Sequence, residues 1–171
     1  LKEGAHFTIC IGNPPYDREQ GSNRSSTGKR KGGVVRYGVP GMAPLLDDVL
    51  GPLSAAGLGK HAKNVYNDYV YFWRWATWQA TQRDKGPGIV TFITASSFLD
   101  GVSMGGLRHH LREVFDELWI VDLGGEGRGA RPEENVFDIR TPVAIAIGIR
   151  TTSNSNECRV RYTRVSGTRA E

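Results

Sequence analysis

The residues best suited to chemistry form one short segment, Asn13-Pro14-Pro15-Tyr16, which follows an apolar run that ends at Gly12. Neither proline has a backbone N–H, and each disfavours a helical conformation in the residue before it, so we expect a stiff, extended segment. Asn13 offers a carboxamide with an acceptor and two donors, Pro14 offers a carbonyl outside any strand ladder, and Tyr16 offers a flat ring. The segment predicts a pocket for an amine-sized group beneath an aromatic lid.

Four apolar segments predict the strands that would hold this turn, and two longer segments predict the helices between them. The second strand is almost continuously apolar, which predicts burial on both of its faces. Asn64 has the residue type of a helix N-cap, and the aromatic-rich helix after it carries a broad apolar stripe that includes Phe72. The predicted strands are 6–12, 88–94, 118–123 and 143–149, and the predicted helices are 64–83 and 103–115.

The order of these segments predicts an α/β sheet in which the first three strands are parallel, because helical crossovers connect them. No helix separates the last two strands, so we expect an antiparallel hairpin there. In that arrangement the Asn-Pro-Pro-Tyr turn, the loop 95–101 and the loop 124–142 meet at one carboxyl edge, where open α/β sheets bind ligands. A weakly alternating segment, 159–165, predicts an edge strand or the first part of something that follows.

Composition adds weaker constraints. The 171 residues suit one domain, and 22 basic against 18 acidic residues give a net charge of +4, which permits a polyanionic partner. Cys10 and Cys158 have no disulfide or metal spacing, which favours a reducing compartment and predicts no metal site. No apolar stretch has membrane-spanning length and no signal peptide is visible, so we expect a cytoplasmic protein. The start at Leu1 suggests an excised piece.

Residues 17–63 are mostly polar and rich in Gly and Ser, which predicts a long loop with an apolar patch at 45–53. Its basic residues follow the turn directly, so they are candidates for contacts with a nucleic-acid backbone, and a solvated insertion is the equally weighted alternative. The adjacent pair His109-His110 favours a solvated helix face over a metal site. The candidate backbone contacts are Arg24, Lys29, Arg30, Lys31 and Arg36.

The NPPY turn, with the order of elements after it, resembles the C-terminal part of the catalytic domain of N6-adenine DNA methyltransferases. The segments NVYNDYV and SSFLDG are most similar to large single-chain restriction-modification enzymes. The resemblance implies part of a Rossmann-like methyltransferase sheet, mostly parallel with a terminal antiparallel hairpin. Residues 1–150 would form the partial catalytic domain, with the basic insertion at 17–63, and residues 151–171 an edge strand or the start of a following segment.

Roles for single residues also follow from the resemblance. Asn13 and the Pro14 carbonyl would accept hydrogen bonds from an adenine amine, within a catalytic segment that includes Pro15. Tyr16 would stack on the flipped base, and Phe137 is the candidate for its other face, with Val136 and Ile139 as close rivals.

The implied cofactor is S-adenosylmethionine and the implied substrate is double-stranded DNA. A glycine-rich turn and an acidic residue for the cofactor would normally precede the NPPY strand, and this chain has neither, so Asn13 alone would border the cofactor. The missing half would come from an upstream segment, the resemblance allows for nuclease, helicase and target-recognition domains beside it, and the isolated chain should be inactive. The open alternatives are a protein-glutamine or RNA-adenine methyltransferase and a non-catalytic DNA-binding module.

Overall fold

The computed structural model describes residues 8–15, 32–126, 134–137, 139, 141–151, 157–165 and 167. Five strands form one sheet in the order β1-β2-β4-β3-β5. The strands are β1 (Ile9–Gly12), β2 (Gly88–Ala95), β3 (Glu117–Asp122), β4 (Val143–Arg150) and β5 (Arg159–Arg164).

The strand directions match the prediction from sequence. β1 is parallel to β2, and β4 runs antiparallel to both β2 and β3, between which it lies. β1, β2 and β3 therefore point the same way, as the helical crossovers predict, and the β3–β4 hairpin supplies the one reversed strand. β5 is an edge strand parallel to β3. The predicted α/β class is confirmed as a mixed five-stranded sheet, while the domain boundary at residue 150 stays a prediction.

Four helices accompany the sheet in the part of the chain described, and two of them lie in the segment 17–63 that was predicted to be mostly loop. They are α1 (Gly33–Tyr37), α2 (Asp47–Ala55), α3 (Asp68–Thr77) and α4 (Gly105–Val114), and short 3₁₀ turns cover Gly59–Asn64, Ser96–Phe98 and Val102–Met104. The apolar patch 45–53 is helical because Leu46, Val49 and Leu53 recur at spacings of three and four and share one buried face. Pro52 and the flanking glycines concealed this helix in the sequence.

Helix α3 begins three residues later than predicted. Asn67, and not Asn64, is the N-cap, and its side-chain oxygen accepts a hydrogen bond from the Tyr69 N–H at 3.1 Å. Phe72, which the predicted stripe placed inside, is 45% exposed, because the buried face is centred on Val70, Trp73 and Thr77. After Thr77 the helix continues as a π-helical turn, Trp78–Gln82.

The core lies between the helices and one face of the sheet. The Trp73 ring of α3 meets the Phe92 ring of β2 edge-on, with centroids 4.9 Å apart. Gly106 lets α4 approach α2 closely, since a Cβ there would stand 1.9 Å from the Val49 carbonyl oxygen. Burial along β2 alternates from residue to residue. The prediction that both faces of β2 are buried is therefore wrong for the described residues.

A polar cluster that includes the buried side chains of Arg74 and His110 joins the helices. The Arg74 guanidinium donates to the Leu45 carbonyl at 2.8 Å, to Gln82 at 2.7 Å and to the Asp48 carboxylate. His110, predicted to be solvated, is buried with its Nδ1 4.0 Å from Asp48, whereas His109 is exposed. Burial is the main cause that lowers the pKa of His110 to about 4, and the Arg74 charge adds to it.

The helices of the described residues are too short or too polar to cross a lipid bilayer.

Candidate functional site

Loops from four strands meet at the edge of the sheet that we call the carboxyl edge. The register pairs Gly12, the last residue of β1, with Phe92 in β2, and it pairs Ala95, the last residue of β2, with Val143, the first residue of β4. It also pairs Asp122, the last residue of β3, with Arg164, the last residue of β5. The described residues of segments 13–15, 96–101, 123–126, 134–137 and 141–142 therefore adjoin this edge, as the sequence predicts.

The Asn-Pro-Pro turn leaves β1 at this edge. Pro14 is buried, while Asn13 and Pro15 are exposed. The backbone at Gly12 lies close to the neighbouring Phe92 side chain of β2, because a Cβ at Gly12 would be 3.2 Å from the Phe92 ring. Pro14 thus anchors the turn in the protein, and the exposed Asn13 carries its carboxamide at the surface. Tyr16, the predicted aromatic lid, lies outside the described residues.

The loop after β2 is fixed from two sides. Arg108 of α4 donates to the carbonyls of Phe98 and Gly101 at 2.8 and 2.9 Å. The Tyr69 hydroxyl lies 3.4 Å from the Ser97 hydroxyl, so the start of α3 contacts the same loop. Only glycine fits at 101, since a Cβ there would be 2.5 Å from the Ser97 carbonyl oxygen. These contacts tie the helices to the carboxyl edge.

Asp122 organises the loop after β3. One of its carboxylate oxygens accepts a hydrogen bond from the Gly124 N–H at 2.9 Å, and the other accepts from the Tyr162 hydroxyl at 2.8 Å and faces Arg164 at 3.4 Å. The hydrogen bond to Asp122 is the main cause that raises the pKa of Tyr162. Asp122 therefore joins β3, β5 and the following turn.

Asn135 continues this framework toward the candidate stacking residue. Its amide donates to the carbonyls of Gly125 at 3.1 Å and Thr141 at 2.8 Å, and its oxygen accepts from the Phe137 N–H at 2.9 Å. Gly125 has φ +85°, and a Cβ there would be 2.5 Å from the Asn135 amide nitrogen. We call Asn135 and its three main-chain partners the Asn135 brace. It fixes the backbone on both sides of Phe137.

Phe137 has an exposed ring at the end of this brace. Its exposed fraction is 36%, close to the 46% of Val136 and the 40% of Ile139, so exposure does not separate the candidate from its two rivals. Sequence analysis missed both Asp122 and Asn135. Their signals were an aspartate two residues before a Gly-Gly pair and an asparagine directly before the apolar pair Val136-Phe137, and both patterns are weak without coordinates.

A cleft of about 510 Å³ opens at the same edge, on the side of β5. Its walls are mostly polar, and neither Asn13 nor Phe137 lines it in the part of the chain described. The lining residues are Ser96, Ser97, Leu99, Asp100, Asp122, Gly124, Glu126, Pro142, Tyr162 and Arg164.

Arg36 is the one predicted backbone contact that lies among the described residues. Its guanidinium stacks 4.1 Å from the Tyr66 ring centroid and 5.3 Å from that of Tyr37. Tyr66 just precedes α3, so the contact holds this positive charge beside the start of that helix. The other four predicted contacts, Arg24, Lys29, Arg30 and Lys31, lie outside the described residues.

The expected S-adenosylmethionine site, which would lie only partly within this chain, stays a prediction. The buried carboxylate at the edge, Asp122, is already engaged by a backbone N–H, a hydroxyl and a guanidinium. It is therefore unsuited to binding ribose hydroxyls. The expected role of Asn13 at the border of the cofactor likewise stays a prediction.

The fold is shared with segments of three larger proteins solved with DNA. The chain is 26% identical to the protein of a DrdV–DNA complex, with a TM-score of 0.69 over 92% of this chain and 14% of that one. It is 27% identical to the ATP-dependent Type ISP restriction-modification enzyme LlaBIII bound to DNA, with a TM-score of 0.68 over 92% of this chain and 10% of that one.

A third similarity, at 24% identity, shows the fold alone. It is to a nuclease-deletion mutant of the Type ISP restriction-modification enzyme LlaGI in complex with a DNA substrate mimic, with a TM-score of 0.71 over 95% of this chain and 15% of that one. No protein-family model and no curated protein matches the chain. The 171 residues thus correspond to a small part of large restriction-modification enzymes whose structures contain DNA.

Proposed function

We propose that this chain is part of a DNA adenine-N6 methyltransferase of a restriction-modification system, which transfers a methyl group from S-adenosylmethionine to a flipped adenine. The observation that carries the proposal is the position of Asn13-Pro14-Pro15, at the end of β1, on the edge that the loops of β2, β3 and β4 share. The similarity to DNA-bound DrdV and LlaBIII supports a DNA substrate.

The chemistry explains why a carboxamide followed by prolines suits this place. An adenine amine is a weak nucleophile because its lone pair is delocalised into the ring. Two acceptors, the Asn13 side-chain oxygen and the Pro14 carbonyl, would hold its two hydrogens and orient the nitrogen for attack. They would also stabilise the positive charge that develops on the amine. The turn needs no strong base, and its rigidity limits the loss of entropy on binding.

Aromatic residues would hold the base once it leaves the duplex. Flipping costs a few kcal/mol, and stacking on an aromatic side chain returns about 1–3 kcal/mol for each face. Tyr16 would cover one face and Phe137 the other. The Asn135 brace supports this role for Phe137, since it fixes the backbone of an exposed ring at the carboxyl edge.

Binding to the DNA backbone would come from basic residues beside this site. Arg36 stacks on Tyr66 and so presents its charge in a fixed place. Arg24, Lys29, Arg30 and Lys31 would extend the contact along the phosphates.

The remaining parts of the enzyme would lie outside these 171 residues. When bound, S-adenosylmethionine supplies an electrophilic methyl group on a sulfonium. Its methionine and ribose moieties would be held by an upstream half of the catalytic domain, with Asn13 at the border of the site. Nuclease, helicase and target-recognition domains are expected in the same polypeptide, which would act on cytoplasmic DNA.

The test is a matched pair of asparagine variants in the full polypeptide that carries this chain. Asn13→Ala should lower the transfer of labelled methyl groups to DNA by about 100-fold or more, as the loss of a preorganised polar group does elsewhere. Asn64→Ala, in the 3₁₀ turn before α3, should leave the rate unchanged. DNA retention by Asn13→Ala should stay near the wild-type level.

Two results would contradict the proposal. One is an Asn13→Ala polypeptide that methylates DNA at the wild-type rate. The other is a wild-type polypeptide that binds DNA and transfers no methyl group, which would favour a non-catalytic DNA-binding module.

A further inference from the structure

Two lysines before helix α3 have no role in the proposed catalysis. Lys60 and Lys63, which we call the lysine pair, lie in the 3₁₀ turn Gly59–Asn64. The stretch 49–67 that surrounds them contains no acidic residue. Both lysines are exposed, and within the described residues neither of them forms an ion pair. The pair is therefore a local concentration of positive charge that no carboxylate neutralises there.

The geometry of the turn places both lysines on one face. A 3₁₀ helix has three residues per turn, so side chains three residues apart eclipse one another, and they are separated by about 6 Å along the axis. Leu58 and Ala62 anchor the turn by packing against the hydrophobic core. Asn64 lies above His61 on a different face, outside the lysine pair. Two ammonium groups are thus presented to solvent from neighbouring positions.

Packing places the lysine pair at the carboxyl edge of the sheet. Its turn packs against the 3₁₀ turn Val102–Met104, which directly follows the loop 96–101. The start of α3 contacts the same loop, because the Tyr69 hydroxyl lies 3.4 Å from the Ser97 hydroxyl. This loop continues β2, which lies next to β1 in the sheet. The lysine pair therefore lies at the edge from which the Asn-Pro-Pro turn leaves β1.

Arg36 extends the positive charge from a separate element. It belongs to α1, and its guanidinium lies 4.1 Å from the ring centroid of Tyr66, which closely follows the turn of the lysine pair. The stacked ring restricts where this charge can lie. Like charges repel, so the convergence of cations from two elements on one surface favours an anionic partner.

We propose that the lysine pair is a phosphate-binding site that holds the DNA backbone beside the flipped base. The inference rests on the proposed function, in which the substrate is duplex DNA. Lys60 and Lys63 would each neutralise one phosphate, and Arg36 would continue the contact. Contacts of this kind fix the position of the duplex and carry no sequence information.

Phosphates fit this surface better than an acidic protein segment does. The lysine ammonium is a compact point charge that suits phosphate oxygens. Protein interfaces are depleted in lysine and have an apolar centre. The exposed residues of the turn, by contrast, are Gly59, Lys60 and Lys63.

Fluorescence anisotropy of labelled duplexes with the full polypeptide tests the site without any methyl donor. The double variant Lys60→Gln, Lys63→Gln should bind about 10-fold or more weakly at about 0.1 M salt. The slope of log K against log salt concentration should become shallower by about 2, because each phosphate contact contributes about 0.9. The loss should be equal for duplexes of unrelated sequence, since phosphates are common to all of them.

Two controls separate a phosphate contact from a general effect of charge or folding. Lys85→Gln removes an exposed lysine that precedes β2, at the opposite edge of the sheet, and should leave affinity and slope unchanged. Lys60→Arg, Lys63→Arg keeps both charges and should bind within about 2-fold of wild type.

Two results would overturn the site. One is wild-type affinity and salt slope in the double glutamine variant, which would place these charges against protein or solvent. The other is a loss of affinity confined to one duplex sequence, which would indicate contacts to bases. Methyl transfer by a double variant that binds DNA normally would remove only the phosphate site. DNA binding that needs both lysines, in a polypeptide that transfers no methyl group, would remove only the proposed function.

Discussion

Replacement of Asn135 by alanine tests the framework around the exposed Phe137. The side chain is buried and makes three hydrogen bonds with main-chain groups, two as donor and one as acceptor. Alanine removes all three bonds and leaves the carbonyls of Gly125 and Thr141 and the N–H of Phe137 without this partner. The two segments on either side of 127–133 would then lose their direct cross-link.

The size of the effect follows from the number of bonds. Each intramolecular hydrogen bond contributes about 1 kcal/mol net, so Asn135→Ala should lower the free energy of unfolding by about 3 kcal/mol. Asn135→Asp keeps the acceptor for the Phe137 N–H but replaces two donated bonds with a carboxylate facing two carbonyl oxygens. The Asn135→Asp chain should therefore lose at least as much unfolding free energy as the Asn135→Ala chain. Such a result would attribute the loss of stability to the two hydrogen bonds that the Asn135 amide donates.

Urea unfolding of the 171-residue chain, followed by circular dichroism, measures these differences, and amide exchange at Phe137 measures local opening. Exchange at Phe137 should accelerate by about 100-fold in Asn135→Ala, the equivalent of about 3 kcal/mol. Asn64→Ala, outside the brace, should change the unfolding free energy by less than about 0.5 kcal/mol. An Asn135→Ala chain with wild-type stability and wild-type exchange at Phe137 would refute the reasoning.

Three further predictions concern the buried His110, the packing of α4 against α2, and the activity of the isolated chain. Folding lowers the pKa of His110 to about 4 from 6.5, so the unfolded chain takes up a proton on this imidazole at a higher pH than the folded chain does. Up to roughly 3 kcal/mol of stability should therefore be lost as the pH falls from 6.5 toward 4. His110→Gln should flatten this pH dependence and His109→Gln should not; identical pH profiles for the two variants would be inconsistent with the assignment. Gly106→Ala should lower the free energy of unfolding by about 1–3 kcal/mol, because the added Cβ forces α4 away from the Val49 carbonyl. Gly51→Ala, at a position in α2 where a Cβ meets open space, should raise it by up to about 1 kcal/mol. Thermal unfolding measures both changes. The isolated chain should transfer no methyl group to DNA in a radiolabel assay, and any incorporation would show that the cofactor site is complete.

Strand direction was predictable because the relevant signals are local, whereas the position of β4 between β2 and β3 was not predicted. Apolar runs mark β2, β3 and β4, and the lack of a helix between the last two requires the reversal that the structure has. Helix α2 was not predictable in the same way, since Pro52 and nearby glycines are typical of loops. Its stability depends on Leu46, Val49 and Leu53, which pack against groups distant in sequence.

The Asn-Pro-Pro turn could be predicted from its own residues, whereas its surroundings could not. Proline geometry restricts the turn locally, but Asp122 and Asn135 act through partners up to 42 residues away, such as Arg164. The burial of Phe72 and His110 was predicted wrongly. The spacing of apolar residues shows that a helix has a buried face, but it does not determine how the helix is rotated about its axis toward the core. Small rotations of that kind are set by packing, here by Trp73 on Phe92 for α3.

Nucleoside analysis of DNA methylated by the full polypeptide tests the central claim most directly. Duplex DNA incubated with the polypeptide and S-adenosylmethionine is digested to nucleosides, which are separated and weighed by mass spectrometry. The proposed role of Asn13 and Pro14 predicts N6-methyladenine in the wild-type product and its loss in Asn13→Ala. A methyl group found on cytosine, on RNA alone or on a protein glutamine would contradict the account.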